Sequence, residues 1–403
     1  MRKNKTYTGQ WLADWFSIFA SELKHIFTDS GVMIIFFLAG LAYPLIYSIV
    51  YHNGTVDDMP VAVVDNSCSN ESRQFTRKLD ATREVAVAYK CMDMAEAEKL
   101  LQERKIKGIV MFPGDFADKL AAMEQSSIST YADMSSFLYY KNLLMATNHV
   151  MLDEMHSIQK TRYAAIGYSE QQISQLVQPV KYEENMPFNR NFSYGIFFLS
   201  AALMIVIQQT MFYGVSMLAG TMREENRSFA IMPDHLKGRG INRVVLGRGG
   251  AYWLIYMAIS AYVAAIVPRI AGLPQNGTFG SIMLLMMFYV TACVLFSFTF
   301  STLIRRRETV FVLFLFMSPI CLFLTGFSWP TSSFPMVWKL FSYIFPSTFA
   351  AQAFINMNTA GADLSLVEPQ MTALTIQIVA YYLLSCIAVF VENKLIKRKN
   401  SQI

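Results

Sequence analysis

Ionisable side chains are absent from six long apolar stretches of this 403-residue chain. None of the six contains Asp, Glu, Lys, Arg or His, and they cover residues 31–50, 192–220, 250–267, 280–304, 309–327 and 371–391. Each has about the length that a membrane-spanning helix needs, roughly 20 apolar residues. Together with a composition that is 54% hydrophobic and 14% aromatic, they indicate a polytopic membrane protein rather than a large soluble domain.

Other missing groups each exclude a class of mechanism. Without a titratable side chain in the spans, a carrier that binds and releases protons inside the membrane is excluded, whereas a sodium site built from carbonyls and hydroxyls stays open. The chain has no G-x-x-x-x-G-K-[ST] motif and therefore no P-loop for ATP. It also has no H-E-x-x-H or C-x-x-C motif, and we predict no catalytic residue, cofactor or metal site.

The basic residues cluster at alternate ends of the spans. They are Arg2, Lys3, Lys5 and Lys24 at the N-terminus, Arg223, Arg227, Lys237, Arg239, Arg243 and Arg248 after the second span, Arg305, Arg306 and Arg307 after the fourth, and Lys394, Lys397, Arg398 and Lys399 in the tail. The positive-inside rule then places both termini in the cytoplasm. The net charge of +5 is located at these span ends, and we predict no nucleic-acid partner.

We therefore predict a polytopic α-helical membrane protein with six transmembrane helices and an inserted α/β extracytoplasmic domain between the first two. The predicted segments are a cytoplasmic N-terminus 1–30, a first span 31–50, the extracytoplasmic domain 51–190, a five-helix transmembrane domain 191–391 and a basic cytoplasmic tail 392–403. Within the N-terminus, apolar residues from Trp11 to Phe27 recur at helical spacing, with polar residues such as Asp14 and Lys24 between them. This pattern favours an amphipathic helix at the inner membrane surface over a plain extension of the first span.

Short apolar runs alternate with helical segments in the inserted domain. The predicted strands are 60–65, 84–89, 107–112 and 128–132, and the predicted helices are 69–81, 94–104 and 135–167. Such alternation is typical of βαβ units with largely parallel pairing. Cys68 and Cys91 each follow a strand, and adjacent parallel strands bring these ends together. We predict a disulfide between them, with two unrelated free thiols as the alternative.

Two further segments stand out between the spans. The stretch 328–350 is apolar and aromatic but is interrupted by Pro330, Pro335 and Pro346, which predicts short re-entrant or interfacial helices rather than a span. The longest cytoplasmic loop, 222–249, opens with the charged run from Arg223 to Arg227. That loop has the character of a docking surface for a soluble partner, although charge alone favours an ordinary positive-inside linker.

Three stretches carry a resemblance to a known family: Val61-Ala62-Val63-Val64-Asp65-Asn66-Ser67, the run 105–113, and the run 326–348. In their order and spacing, the chain resembles a type-2 permease of the ABC exporter superfamily, in the subgroup with one span, a large exterior domain and then five spans. The resemblance implies a homodimer or heterodimer of permease subunits with separate ABC ATPase subunits in a bacterial inner membrane. It places residues 51–190 in the periplasm and allows a periplasmic adaptor protein as a partner.

The coupling helix of that family, which docks on the ATPase, maps onto Arg223, Glu224, Glu225 and Arg227. Asn226, Arg227 and Ser228 stand where the family usually has Gly-Thr after the acidic pair. The resemblance therefore implies a permease subunit without an ATPase site of its own, which exports a substrate while a separate subunit hydrolyses ATP. The alternatives are a membrane-anchored extracytoplasmic sensor and a cell-envelope assembly factor, and the sequence does not define the substrate.

Overall fold

The computed structural model describes residues 7–51, 55–180, 185, 187–189, 193–225 and 240–400. The chain divides into two compact units. The helical unit comprises Met1–Gly54 and Pro187–Ile403, and the sheet unit comprises Thr55–Met186.

The helical unit begins with two helices that meet at an acidic residue. Helix α1 covers Tyr7–Thr28 and includes the predicted amphipathic segment, and the first apolar span follows as α2 (Ser30–Met33), a π-helical turn (Ile34–Ala39) and α3 (Gly40–Val50). Asp29 has an extended backbone between α1 and α2, and its carboxylate accepts the N–H groups of Gly31 and Val32. This side chain caps α2 at the break between α1 and the span.

In its described residues, 55–180 and 185, the sheet unit has four strands and five helices. The strands are β1 (Met59–Asp65), β2 (Val85–Cys91), β3 (Gly108–Phe112) and β4 (Ser129–Ala132). The helices are α4 (Asn70–Asp80), α5 (Met94–Gln102), α6 (Phe116–Ala121), α7 (Phe137–Ile166) and α8 (Glu170–Val177). The order across the sheet is β2-β1-β3-β4, in which β1 pairs in parallel with β2 and β3, and only β4 is antiparallel.

The central strand β1 is buried on both faces of the sheet. Val61 and Val63 pack with residues of α4 and α7, including Phe75, whereas Ala62 and Val64 pack on the opposite face around α5. Helices on both faces of a parallel pair explain why β1 is a continuous apolar run rather than an alternating one. The four predicted strands and three predicted helices lie within two residues of these bounds, whereas α6 and α8 were not predicted.

From residue 193 onward, the described part of the helical unit has five long α-helices and three short ones. They are α9 (Tyr194–Glu224), α10 (Ile241–Ala265), α11 (Val267–Ile270), α12 (Phe279–Ser301), α13 (Thr309–Leu324), α14 (Met336–Ser342), α15 (Pro346–Phe354) and α16 (Glu368–Asn400). Among the described residues, five runs are long and apolar enough to cross a membrane: Ser30–Val50, Phe198–Glu224, Ile241–Ile270, Phe279–Ser301 and Leu364–Glu392. The chain is therefore a polytopic membrane protein by its length and composition.

The fifth predicted span, residues 309–327, corresponds to a helix that is shorter than these five runs. Helix α13 has 16 residues, with Pro319 inside it, and so extends about 24 Å. That length is less than the roughly 30 Å of a bilayer hydrocarbon core, so α13 alone does not have the length of the five other runs.

The proline-interrupted stretch 328–350 forms short helical pieces. Pro330 precedes a 3-10 turn (Thr331–Ser333), Pro335 precedes α14, and Pro346 opens α15. The backbone at the α14–α15 break is bonded by side chains: Gln208 accepts from Ser347 N–H, Gln377 donates to Tyr343 O, Tyr381 donates to Ile344 O, and Thr348 donates to Ser342 O. Protein side chains from α9, α15 and α16 thus satisfy the irregular backbone, as a buried break requires.

Candidate functional site

Four arginines at one end of the helical unit are each paired with an acidic residue. We call these residues the arginine layer. Its ion pairs are Arg223–Glu392 (3.1 Å), Arg243–Asp14 (2.7 Å), Arg248–Glu22 (3.4 Å) and Arg307–Asp29 (2.9 Å). All four arginines belong to the basic clusters that the sequence places at the span ends. The layer therefore brings α9, α10, α16 and the α12–α13 connection together with the N-terminal helix.

Helix α1 contributes two of the four acids, and the break that follows it contributes a third. Asp14 and Glu22 lie in α1, eight residues or about 2.2 turns apart, and Asp29 follows directly after the end of this helix. Glu22 is only 1% exposed, and the Tyr252 hydroxyl donates a hydrogen bond to it. Asp14, one of the polar residues between the apolar ones of this segment, is only partly exposed, and its carboxylate accepts a hydrogen bond from Arg243 of α10. Lys24 is exposed, as that pattern predicts.

Arg307 joins three separate segments of the layer. Its Nη1 and Nη2 atoms donate to the two carboxylate oxygens of Asp29, both at 2.9 Å, in a bidentate pair. Nη1 also donates to the Thr221 hydroxyl, and the Arg307 backbone N–H donates to the Glu224 carboxylate, both at 2.9 Å. At Gly220 an added Cβ would lie 2.8 Å from the Arg307 nitrogen, so the connection passes directly against α9. The last turn of α9 is thus bonded to the α1–α2 break and to the α12–α13 connection.

The predicted coupling residues fall into two structural groups. Arg223 is partly buried, and its guanidinium donates to Glu392, to the Ser301 carbonyl and to the Ile304 carbonyl. Glu224 and Glu225 are exposed at the end of α9. Arg227 lies outside the described residues. The sequence predicts these side chains as one group, but Arg223 is partly buried, whereas Glu224 and Glu225 are exposed and Glu224 also accepts the Arg307 backbone N–H.

The predicted loop 222–249 is shorter at both ends than expected. Helix α9 continues to Glu224, and α10 begins at Ile241, so that Arg243 and Arg248 belong to the helix of the third span. Arg248 is 7% exposed and is paired with Glu22. The basic residues of this loop therefore include two that are packed inside the unit.

The sheet unit holds Cys68 and Cys91 as free thiols, without the predicted bridge. Cys91 is buried at the end of β2 in the cluster around α5, and burial raises the pKa of its thiol. Cys68 is exposed in a turn after β1, where the Asp65 carboxylate accepts its backbone N–H and the Asp65 carbonyl accepts its thiol. The turn directs Cys68 toward its own strand rather than toward Cys91.

We expect this difference to be visible as selective alkylation. In the folded protein, iodoacetamide should modify Cys68 rapidly, whereas Cys91 should react only after denaturation because it is buried and because its thiolate is disfavoured. Peptide mapping by mass spectrometry, with and without prior reduction, measures both sites. Protection of Cys68 that is lifted only by a reductant would contradict the free-thiol arrangement.

Among the residues with a described placement, no group of three or more His, Cys, Asp or Glu side chains is arranged to hold a metal ion.

The fold and the arginine layer define a polytopic membrane protein with a folded unit between its first two apolar spans. A family model for the ABC-2 family transporter proteins matches residues 30–387. The chain belongs to this family and is a permease component of an ABC transporter. No curated protein matches the chain.

Proposed function

We propose that this chain is the permease subunit of an ATP-driven exporter and that a separate ABC subunit hydrolyses the ATP. The observation that carries the proposal is the family match over residues 30–387 in a chain without a P-loop. Membership of this family implies that the chain has an ABC ATPase partner and is embedded in the membrane. The resemblance to the exporter subgroup supports an outward direction, a bacterial inner membrane and a dimer of permease subunits.

The charge distribution supports an orientation with the arginine layer in the cytoplasm. The positive-inside rule then places residues 51–190, which include the sheet unit, in the periplasm. The positive-inside rule counts basic residues in short loops, whereas long domains are translocated largely regardless of their charge. The basic residues of the sheet unit therefore do not oppose this topology. A periplasmic adaptor protein would contact the permease at the sheet unit.

We further propose that Glu224 and Glu225 contact the ATPase, whereas Arg223 transmits the contact to the spans. The two acids are exposed at the end of α9, and α9 is buried along most of its length. Arg223 joins that end of α9 to Glu392 of α16 and to the Ser301 carbonyl at the end of α12. A displacement of the α9 end would therefore act on two neighbouring helices through direct hydrogen bonds.

Reversal of the exposed acids tests this division of roles. In the double variant Glu224→Lys, Glu225→Lys, we expect co-purification of the ATPase to fall at least about tenfold, because two charges at the contact change sign. Membrane insertion should persist, since added positive charge on this side reinforces the topology. The measurements are the amount of ATPase retained by the affinity-purified permease and the substrate-stimulated ATP hydrolysis of the complex.

A matched control is available in the sheet unit. The double variant Glu98→Lys, Glu124→Lys reverses two exposed acids there and should leave ATPase association unchanged. Normal co-purification and hydrolysis in the Glu224→Lys, Glu225→Lys variant would show that these acids do not form the contact. If no ATPase co-purifies even with the unaltered chain, the exporter proposal itself fails in favour of a sensor or an assembly factor.

A further inference from the structure

A cavity of about 210 Å³ lies in the helical unit between α14, α15 and the first turn of α16. Its polar lining includes Thr331, Lys339, Tyr343, Gln352 and Gln370. The volume is below the roughly 300–1,000 Å³ of pockets that enclose drug-sized ligands. A cavity of this size fits a compact polar group rather than a whole large molecule.

The lining offers several hydrogen-bond donors and a cation. Lys339 is the only basic residue between Arg307 and Lys394. Within the described part of the chain, its ammonium group has no ion pair, and the side chains of Thr331, Tyr343 and Gln370 form no hydrogen bond with protein groups. None of the described lining residues carries a carboxylate. A cation surrounded by hydroxyl and amide donors is the chemistry that recognises an anion with several acceptor oxygens.

The lining of the cavity also contains a hydrogen-bond acceptor to which no protein group donates. The side-chain oxygen of Gln370 is buried and has no hydrogen-bond partner. Leaving such a group unsatisfied destabilises a protein, so a ligand that brings its own O–H or N–H beside its anionic oxygens would complete the site. Phosphate diesters of glycerol or ethanolamine have both features.

The cavity lies at the end of the helical unit opposite the arginine layer. Gln370 and Glu392 are on the same helix, 22 residues apart, which corresponds to about 33 Å along α16. Glu392 pairs with Arg223 of the layer, so the cavity is about one hydrocarbon thickness away from it. Around Lys339, α14 exposes Met336, Val337, Trp338 and Leu340. An exposed apolar and aromatic surface at this depth is typical of the boundary between acyl chains and headgroups.

We propose that this cavity binds the headgroup of a bilayer phospholipid, with the phosphate beside Lys339 and a headgroup hydroxyl or ammonium group beside Gln370. The exposed apolar side chains of α14 would contact the acyl chains. The position of the cation supports this occupant, because Lys339 is the single charge on an otherwise apolar helix that faces away from the protein core. The site is independent of the ATPase contact and does not depend on the direction of transport.

The test is native mass spectrometry of the full-length, detergent-purified chain titrated with dioctanoyl phosphatidylglycerol. We expect the dissociation constant of the first bound lipid to rise about tenfold or more in Lys339→Gln, through loss of a charge-assisted bond. Gln370→Leu should also weaken binding, whereas Lys339→Arg should retain it. The matched control is Lys24→Gln, which removes an exposed lysine at the other end of the unit and should leave the first affinity unchanged.

Titrations with glycerophosphate and with inorganic phosphate separate a lipid from a soluble ligand. We expect both to bind far more weakly than the lipid, because they lack acyl chains to contact α14. Equal lipid affinity in the unaltered chain and in Lys339→Gln would overturn the proposal, provided that both elute as the same folded species. Glycerophosphate binding as tight as that of the lipid would also overturn it, since the site would then be a soluble-anion site.

Discussion

Replacing Glu22 by alanine is expected to destabilise the helical unit strongly. Glu22 is 1% exposed, and it lies between the Arg248 guanidinium and the Tyr252 hydroxyl of α10. Its removal deprives Arg248, itself 7% exposed, of a carboxylate in an apolar environment. Breaking a buried pair in this way typically lowers the free energy of unfolding by about 3–5 kcal/mol.

The measurement is the apparent melting temperature of the detergent-purified chain, followed by size-exclusion chromatography after heating. The double variant Glu22→Met, Arg248→Met should recover much of the loss, because it replaces the ion pair by apolar side chains of similar length. Lys24→Ala serves as the matched control on the same helix, since Lys24 is exposed and its loss should change the melting temperature little. A small effect of Glu22→Ala, within that of Lys24→Ala, would show that α1 is not held by this pair.

In the sheet unit, the sequence alone predicts the strands and the longer helices but not the shortest helices. Strands β1 and β3 are short apolar runs that end at Asp65-Asn66 and Pro113-Gly114, so their local pattern predicts their bounds closely. Helices α6 and α8 have only six and eight residues, too few for a periodic pattern to become recognisable. The antiparallel position of β4 depends on where the chain returns to the edge of the sheet, which no local pattern encodes.

The arginine layer shows what could not be predicted. The positive-inside rule explains why arginines occur at these span ends, but it does not say which acids they meet. The positions of Asp14 and Glu22 on α1 are a usable signal, because Ile18 and Ile26 alternate with them at four-residue intervals and are buried. The different burial of Arg223 and Glu224 was not predictable, because neighbouring helical residues point about 100° apart and only packing decides which one is buried.

Substitution of Gly214 is the second change with a large expected effect. This glycine of α9 is where the first span packs closest: an added Cβ would overlap the Phe36 ring, with Phe36 Cζ only 2.8 Å away. Phe36 is fully buried and packs edge-on against Tyr252 and Tyr256, with ring centroids 6.0 and 5.0 Å apart, respectively. Small residues at helix contacts permit such approach in membrane proteins. We expect Gly214→Ala to lower the free energy of unfolding by about 1–3 kcal/mol, and Gly214→Leu to prevent stable folding.

Gly280 provides the matched control for this prediction. It lies in α12 with no heavy atom within 4 Å of an added Cβ, so Gly280→Ala should be neutral or should stabilise the fold by about 0.4–1 kcal/mol. The melting temperatures of the two alanine variants should therefore move in opposite directions or differ by several degrees. If Phe36 causes the loss, Gly214→Leu should be tolerated better together with Phe36→Ala than alone, because the leucine then occupies the space of the ring. Equal melting temperatures for Gly214→Ala and Gly280→Ala would show that α9 and the first span do not pack through this contact.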